Sequence, residues 1–172
     1  SFGIENGIIK YTSEFEKKEK DLSKIIGSSF KINFFSAIIF SFIVVVSKEY
    51  ISEFSKINFN QNFYFLVLVL SIVSASIHTC FLSIYNGLKR INLYVLVNIF
   101  SNIAAAILLI ILVTKMNIIG AFYALALNQI IALLINIIFF VYYRPFNISY
   151  LFDKLIKENF KKLSKFSLMA IA

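Results

Sequence analysis

The chain is poor in the residues that most often carry chemistry. Its 172 residues include one cysteine, one histidine and one proline. Cys80 alone cannot build a disulfide framework or a cysteine-based zinc site. His78 alone excludes a multi-histidine metal centre. No paired carboxylates lie within or beside an apolar stretch, and no glycine-rich phosphate loop occurs. Catalysis, a resident metal and a cofactor are therefore not expected. Acidic residues are also scarce, 9 against 17 basic, giving a net charge of +8. Nucleic-acid binding would want that charge as a patch on a soluble face, and none is apparent. No charged start precedes a short apolar run with a cleavage site, so a secretory signal is not expected.

Apolar residues are what the chain has. They make up 59% of it, with a mean hydropathy of +0.82. A bilayer core about 30 Å thick takes roughly 20 apolar residues per helix. Four stretches meet that length: Ile25–Ser47, Phe63–Tyr85, Leu93–Thr114 and Ile118–Tyr143. Lys31 and His78 are their only ionisable interior residues. The continuous runs lack the alternation of a membrane barrel. The expected fold is an all-α, polytopic membrane helix bundle with four complete spans and partial helices at both ends.

The basic residues orient those spans. Thirteen of the 17 fall in alternate loops on one side: Lys10, Lys17, Lys18, Lys20 and Lys24, then Lys89 and Arg90, then Arg144, Lys154, Lys157, Lys161, Lys162 and Lys165. Lys48, Lys56 and Lys115 fall on the other side. The positive-inside rule makes the rich side cytoplasmic.

The connections read as follows. Ser1–Ile9 is expected to end an earlier helix, and Glu14–Lys24 to form a charge-dense loop. Tyr50, Ile51, Phe54 and Ile57 recur at helical spacing, which predicts a short helix on the outer interface. Gly87 is expected to end the second span in a left-handed conformation. Lys115-Met116-Asn117 predicts a tight hairpin, and Pro145 a helix end near Tyr143. Beyond it, Ile148, Leu151, Phe152, Leu155, Ile156, Phe160 and Leu163 face away from Lys154, Lys157, Lys161 and Lys162. That predicts a basic amphipathic helix over about 148–163 on an anionic leaflet, with a packed linker as the alternative. Asn147-Ile148-Ser149 matches a glycosylation acceptor but lies on the expected cytoplasmic side, where the match is chance. The opening Ser1-Phe2-Gly3 and the closing run Phe166–Ala172 lead to the expectation of an internal piece of a longer transporter.

Polar residues within the spans are the candidate substrate path, because such groups face a bundle interior or a water-filled cavity. Lys31 lies roughly 9 Å past Ile25, so it either snorkels back to the interface or faces a cavity and meets a phosphate. His78 shares a face with Ser71 and Ser74. It is either hydrogen-bonded within the bundle or set in a cavity where it can titrate. Asn98 and Asn102 form one polar face beside Ser101, and Asn128, Gln129 and Asn136 a looser one. Asn33 completes the candidate set. Interhelical hydrogen bonding explains the amides as readily as a hydrophilic lumen does. The chain holds 30 Ile and 14 Asn, and far more Lys than Arg. That skew suits an AT-rich genome and weakens any argument from asparagine.

Four strings depart from generic membrane sequence. Gly3-Ile4-Glu5-Asn6-Gly7-Ile8-Ile9-Lys10-Tyr11 resembles the end of the second helix of Wzx-type O-antigen flippases. These are polysaccharide translocases of the multidrug/oligosaccharidyl-lipid/polysaccharide exporter superfamily. Asn86-Gly87-Leu88-Lys89-Arg90 is similar to the family's loop after helix four. Gly120-Ala121 with Ala124-Leu125-Ala126-Leu127 is similar to its sixth helix. Leu163-Ser164-Lys165-Phe166-Ser167-Leu168-Met169-Ala170 resembles the start of its seventh. Glu5 departs from the first string, and Asn86 stands where the family often has Lys.

The resemblance covers nearly the whole chain, and it implies part of the N-terminal half of a transporter with two pseudo-symmetric halves. The implied task is to flip an undecaprenyl-diphosphate-linked oligosaccharide across the bacterial inner membrane by alternating access, for O-antigen and lipopolysaccharide synthesis. The implied partners are that lipid-linked oligosaccharide, membrane lipids, and a polysaccharide polymerase with its chain-length machinery. Two other readings stay open. A drug or cation exporter of the same superfamily would need a membrane-embedded acid, and a four-helix membrane scaffold would need none of this machinery.

Overall fold

A computed structural model describes residues 4–50 and 61–153. Every element among them is helical. Helix α1 is Ile4–Glu14, α2 is Glu19–Val46 and α3 is Gln61–Gly87. A continuous run of helical residues then covers Ile91–Tyr143, and a 3-10 turn follows at Ile148–Phe152. Among the described residues, three helices are long and apolar enough to cross a bilayer: Glu19–Val46, Phe63–Gly87 and Ile91–Tyr143.

The third of these cannot be one straight rod. Fifty-three residues at 1.5 Å each would reach roughly 80 Å, over twice the hydrocarbon thickness. The chain reverses at Asn117, whose φ of 53° and ψ of −132° are not helical. Asparagine is among the few residues that tolerate positive φ. The two arms, α4 (91–116) and α5 (118–143), lie against each other. The Phe100 and Phe139 ring centroids are 5.5 Å apart despite their separation in sequence. Next to the reversal, a Cβ on Gly120 would stand 1.9 Å from the Leu112 carbonyl oxygen. Only a glycine lets the arms meet so closely. Ala124, Ala126 and Ala132 are buried further along α5. Small residues of this kind let membrane helices approach where lipid gives no hydrophobic drive for association.

Helix α3 is central and packs against α1, α2 and the α4–α5 hairpin. Its Ser76 meets Asn33 of α2, its Gly87 meets Thr12 of α1, and its Phe81 meets Phe140 of α5. The outer faces are apolar and uncovered: Ile39, Phe42 and Val46 on α2, Ile103, Ile107 and Ile110 on α4, and Leu134, Ile138 and Val141 on α5. An uncovered apolar surface of this extent marks a membrane-facing one. The chain is a membrane protein. Its tightest core lies at the lysine-rich end, where Ile8, Leu22, Ile26, Ile84, Val97, Phe140, Phe146 and Leu151 join every element.

Three expectations change. The Glu14–Lys24 loop shrinks to residues 15–18, because α2 already starts at Glu19. Glu19 and Asp21 sit in its first turn, where carboxylates favour the helix dipole. Gly87 is not the left-handed residue. That role falls to Lys89, with φ 55°. The Arg90 amide donates to Tyr85 and the Lys89 amide to Asn86, the two bonds of a Schellman closure. Gly87 serves close packing instead, since a Cβ there would lie 2.7 Å from Thr12 Cβ. Finally, Ile148–Phe152 is a 3-10 turn rather than the start of a regular amphipathic helix. The rest of that stretch, the outer segment after Tyr50 and the Leu163–Ala170 string lie outside the described residues.

Substituting Gly120→Val is expected to destabilise the protein by about 1–3 kcal/mol through overpacking. The check is thermal unfolding in detergent, with Leu125→Val on the exposed face expected to stay within about 0.5 kcal/mol.

Candidate functional site

At the lysine-rich end, four residues of α2 spaced four apart hold the 3-10 turn. Glu19 Oε1 accepts from the Tyr150 hydroxyl at 2.5 Å. Ser23 Oγ donates to Asp153 Oδ2 at 2.7 Å. Gly27 lets the turn lie flat, since a Cβ there would sit 2.8 Å from the Tyr150 carbonyl oxygen. Lys31 Nζ donates to the Asp153 carbonyl oxygen at 2.5 Å. Lys31 therefore caps a loop at the interface and does not point a cation into a membrane cavity. The reason is reach: its long stem runs back toward the polar end, where an acceptor waits. Within the turn, Asn147 Oδ1 accepts from the Ser149 amide, a local role for the Asn-Ile-Ser string.

Deeper in the bundle, a polar seam joins α3 to α5. Tyr85 Oη donates to Asn136 Oδ1 at 2.7 Å. Asn136 Nδ2 lies 3.1 Å from His78 Nδ1 and also donates to the His78 carbonyl at 3.4 Å. An amide nitrogen can only donate, so Nδ1 is the acceptor and the imidazole carries its proton on Nε2. Asn136 is 1% exposed, Tyr85 0% and His78 7%, so no water is at hand to replace a lost partner. His78 is thus bonded within the bundle. Ser71 and Ser74 are buried on the same helix, and the Ser71 hydroxyl donates to its own helix at Leu68.

A groove of about 480 Å³ opens between α2 and α3. Asn33, Ser36, Ser76 and Thr79 form its polar wall, and Ile4, Phe40 and Ile72 part of its apolar one. The hydroxyl protons of Ser36, Ser76 and Thr79 go to backbone carbonyls at Ile32, Asn33 and Ser76. Asn33 Nδ2 bonds the Ser29 carbonyl at 3.1 Å. What remains for a ligand is mostly oxygen lone pairs. The groove suits a partner rich in donors, such as a hydroxylated headgroup, and no basic residue lines it among the described residues.

The remaining candidates are dispersed. Asn98 Nδ2 donates to Tyr94 on its own helix at 2.8 Å. Asn102 is exposed, and Asn128 and Gln129 are half-buried on α5. Spacing on one helix aligned Gln129 with Asn136, but the partners of Asn136 come from α3. Tyr85, Ser36, Ser76 and Thr79 were not singled out from the sequence. The serine-rich run 71–79 was the available signal for two of them.

Comparison with protein families, with curated proteins and with solved structures finds no match to this chain.

Two outcomes are expected. Asn136→Leu leaves Tyr85 and His78 unpaired and should cost about 1–3 kcal/mol, whereas Asn102→Leu should cost under about 0.5 kcal/mol. Unfolding in detergent measures both. At the interface, the hydrogen bond to Glu19 holds the Tyr150 phenol above its ordinary range, with slight burial and the Glu19 charge adding to it. A raised phenol pKa in the fold means the clasp is fully present below the ordinary tyrosine value of about 10 and is lost as pH rises through the folded value. Ultraviolet titration of the protein minus its Tyr150→Phe variant should show a midpoint above that value, falling toward it in Glu19→Gln.

Proposed function

We propose that the protein flips an undecaprenyl-diphosphate-linked oligosaccharide between the leaflets of the bacterial inner membrane. In this reading it works by alternating access, in a transporter of two pseudo-symmetric halves, with the lysine-rich end cytoplasmic. The observation that carries the reading is the α2–α3 groove. It is lined by residues of the apolar spans, and Asn33, Ser36, Ser76 and Thr79 make its wall polar, with the three hydroxyl protons spent on backbone carbonyls. A sugar presents many hydroxyl donors, and acceptors with unused lone pairs can take them in exchange for water. The lipid tail stays in the bilayer along the uncovered apolar faces. The diphosphate needs cations, and these stand at the lysine-rich end and not in the groove.

One observation favours the exporter reading. Helix α1 brings Glu5 to the level of the groove, next to Ile4 on its wall and within electrostatic reach of Cys80. An acid at that depth is what coupling to a cation gradient requires.

Complementation separates the two. Expressing the gene in a bacterium lacking its own flippase should restore surface polysaccharide. Double replacement Ser76→Val with Thr79→Val should reduce that restoration at least fivefold with membrane levels unchanged. Continued accumulation of the lipid-linked repeat unit on the cytoplasmic side contradicts the proposal. Restored resistance to cationic drugs, abolished by Glu5→Gln, supports the exporter instead.

A further inference from the structure

A second hollow lies at the lysine-rich end, where α3 hands over to α4. Its volume is about 650 Å³, and Lys89, Arg90, Asn92, Leu93, Leu96 and Tyr143 contribute to its wall. The hollow is two-sided in chemistry. Two cations line it, and no acid does among the described residues. Glu16 reaches Lys89 from outside the hollow at 3.8 Å, while the Lys89 side chain keeps 70% of its exposure. Arg90 has no ion-pair partner among the described residues. It also occupies the N-cap of α4 without a side-chain cap. The first amides of α4 therefore add partial positive charge at the same place. Leu93 and Leu96 give the hollow an apolar wall, and Tyr143 adds an amphipathic ring of the kind enriched at membrane interfaces.

The left-handed turn at Lys89 fixes this arrangement. Closing α3 over Lys89 and Arg90 sends α4 back beside α5, so the cations and the apolar wall face one space. An anion alone would use only half of it. An amphiphile with a negative head and an apolar chain uses both halves.

We infer that this hollow binds an anionic phospholipid of the surrounding bilayer. Its phosphate sits between Lys89, Arg90 and the amides of α4, and its acyl chain runs along Leu93 and Leu96. Basic pockets between helices at a membrane interface recognise lipid headgroups in this way. The site is independent of the transport reading and would stand if the protein moved a different substrate.

Native mass spectrometry of the full-length protein in detergent tests this. The protein is titrated with phosphatidylglycerol, phosphatidylethanolamine and inorganic phosphate. Phosphatidylglycerol should be retained in preference to phosphatidylethanolamine. Lys89→Gly with Arg90→Gln should weaken that retention about twentyfold, since each basic residue near an anionic lipid contributes about fivefold. Glycine suits the left-handed position, so the turn survives the loss of the cation, and an unchanged unfolding temperature verifies it. Leu96→Trp, which fills the apolar end, should weaken phosphatidylglycerol alone. Lys115→Gln, at the opposite end of α4, should change nothing. Equal retention of the two lipids, or full retention by the double variant, overturns the inference. So does inorganic phosphate binding as tightly as phosphatidylglycerol and insensitive to Leu96→Trp, which identifies a free-anion site.

Discussion

The tie between α3 and α5 is the contact on which the rest of the bundle depends. In lipid, helices gain nothing from leaving an apolar solvent, so packing and polar bonds must hold them. Asn136 spends both ends of its amide on α3, taking a proton from Tyr85 and giving one to His78. These groups are almost wholly buried, so each is satisfied only while the two helices keep their register. The hairpin at Asn117 makes that register transmissible. Because Gly120 brings α5 against α4, fixing α5 on α3 also fixes α4. The membrane-facing surface and the hollow beside Arg90 both follow from that placement.

The two ends of the bundle are held by different physics. At the lysine-rich end, aromatic stacking of Phe81, Phe140 and Phe146 combines with the α2 clasp on the 3-10 turn. Further along the bundle, the groove lies between α2 and α3. A bundle closed at one end and open along one side has a natural place for a polar headgroup. The groove supplies acceptors and the lysine-rich end supplies cations. A substrate with both a hydroxylated part and a phosphate would have to use the two regions together or in turn. That division is what the proposed lipid-linked sugar substrate would use.

The helical membrane architecture was legible in the sequence because it rests on one strong signal: long apolar runs with scarce charge. The bend at Asn117 was legible for the same reason, since Lys115-Met116-Asn117 interrupts a run too long to cross once. The sites were less so, because they depend on which helices face each other. Asn136 and His78 could be named from their helices, but Tyr85 reads as one more aromatic until α5 is laid against α3. Lys31 was ambiguous for a related reason. Its depth followed from counting residues, while its partner is a backbone oxygen 122 positions away. Gly87 shows the same limit: its dihedral freedom predicts a left-handed helix end, whereas its use is the close approach of Thr12.

The central claim is that the α2–α3 groove is a wet path within the membrane and its apolar neighbours are not. Cysteine accessibility in intact membranes tests it most directly. In a Cys80→Ser background, single cysteines replace Ser36, Ser76 and Thr79 in the groove, and Ile103 and Ile138 on the uncovered faces. The groove positions are expected to react with a water-soluble maleimide at least tenfold faster than the lipid-facing pair, and to be protected by bound substrate. Equal inertness at all five positions would contradict the account.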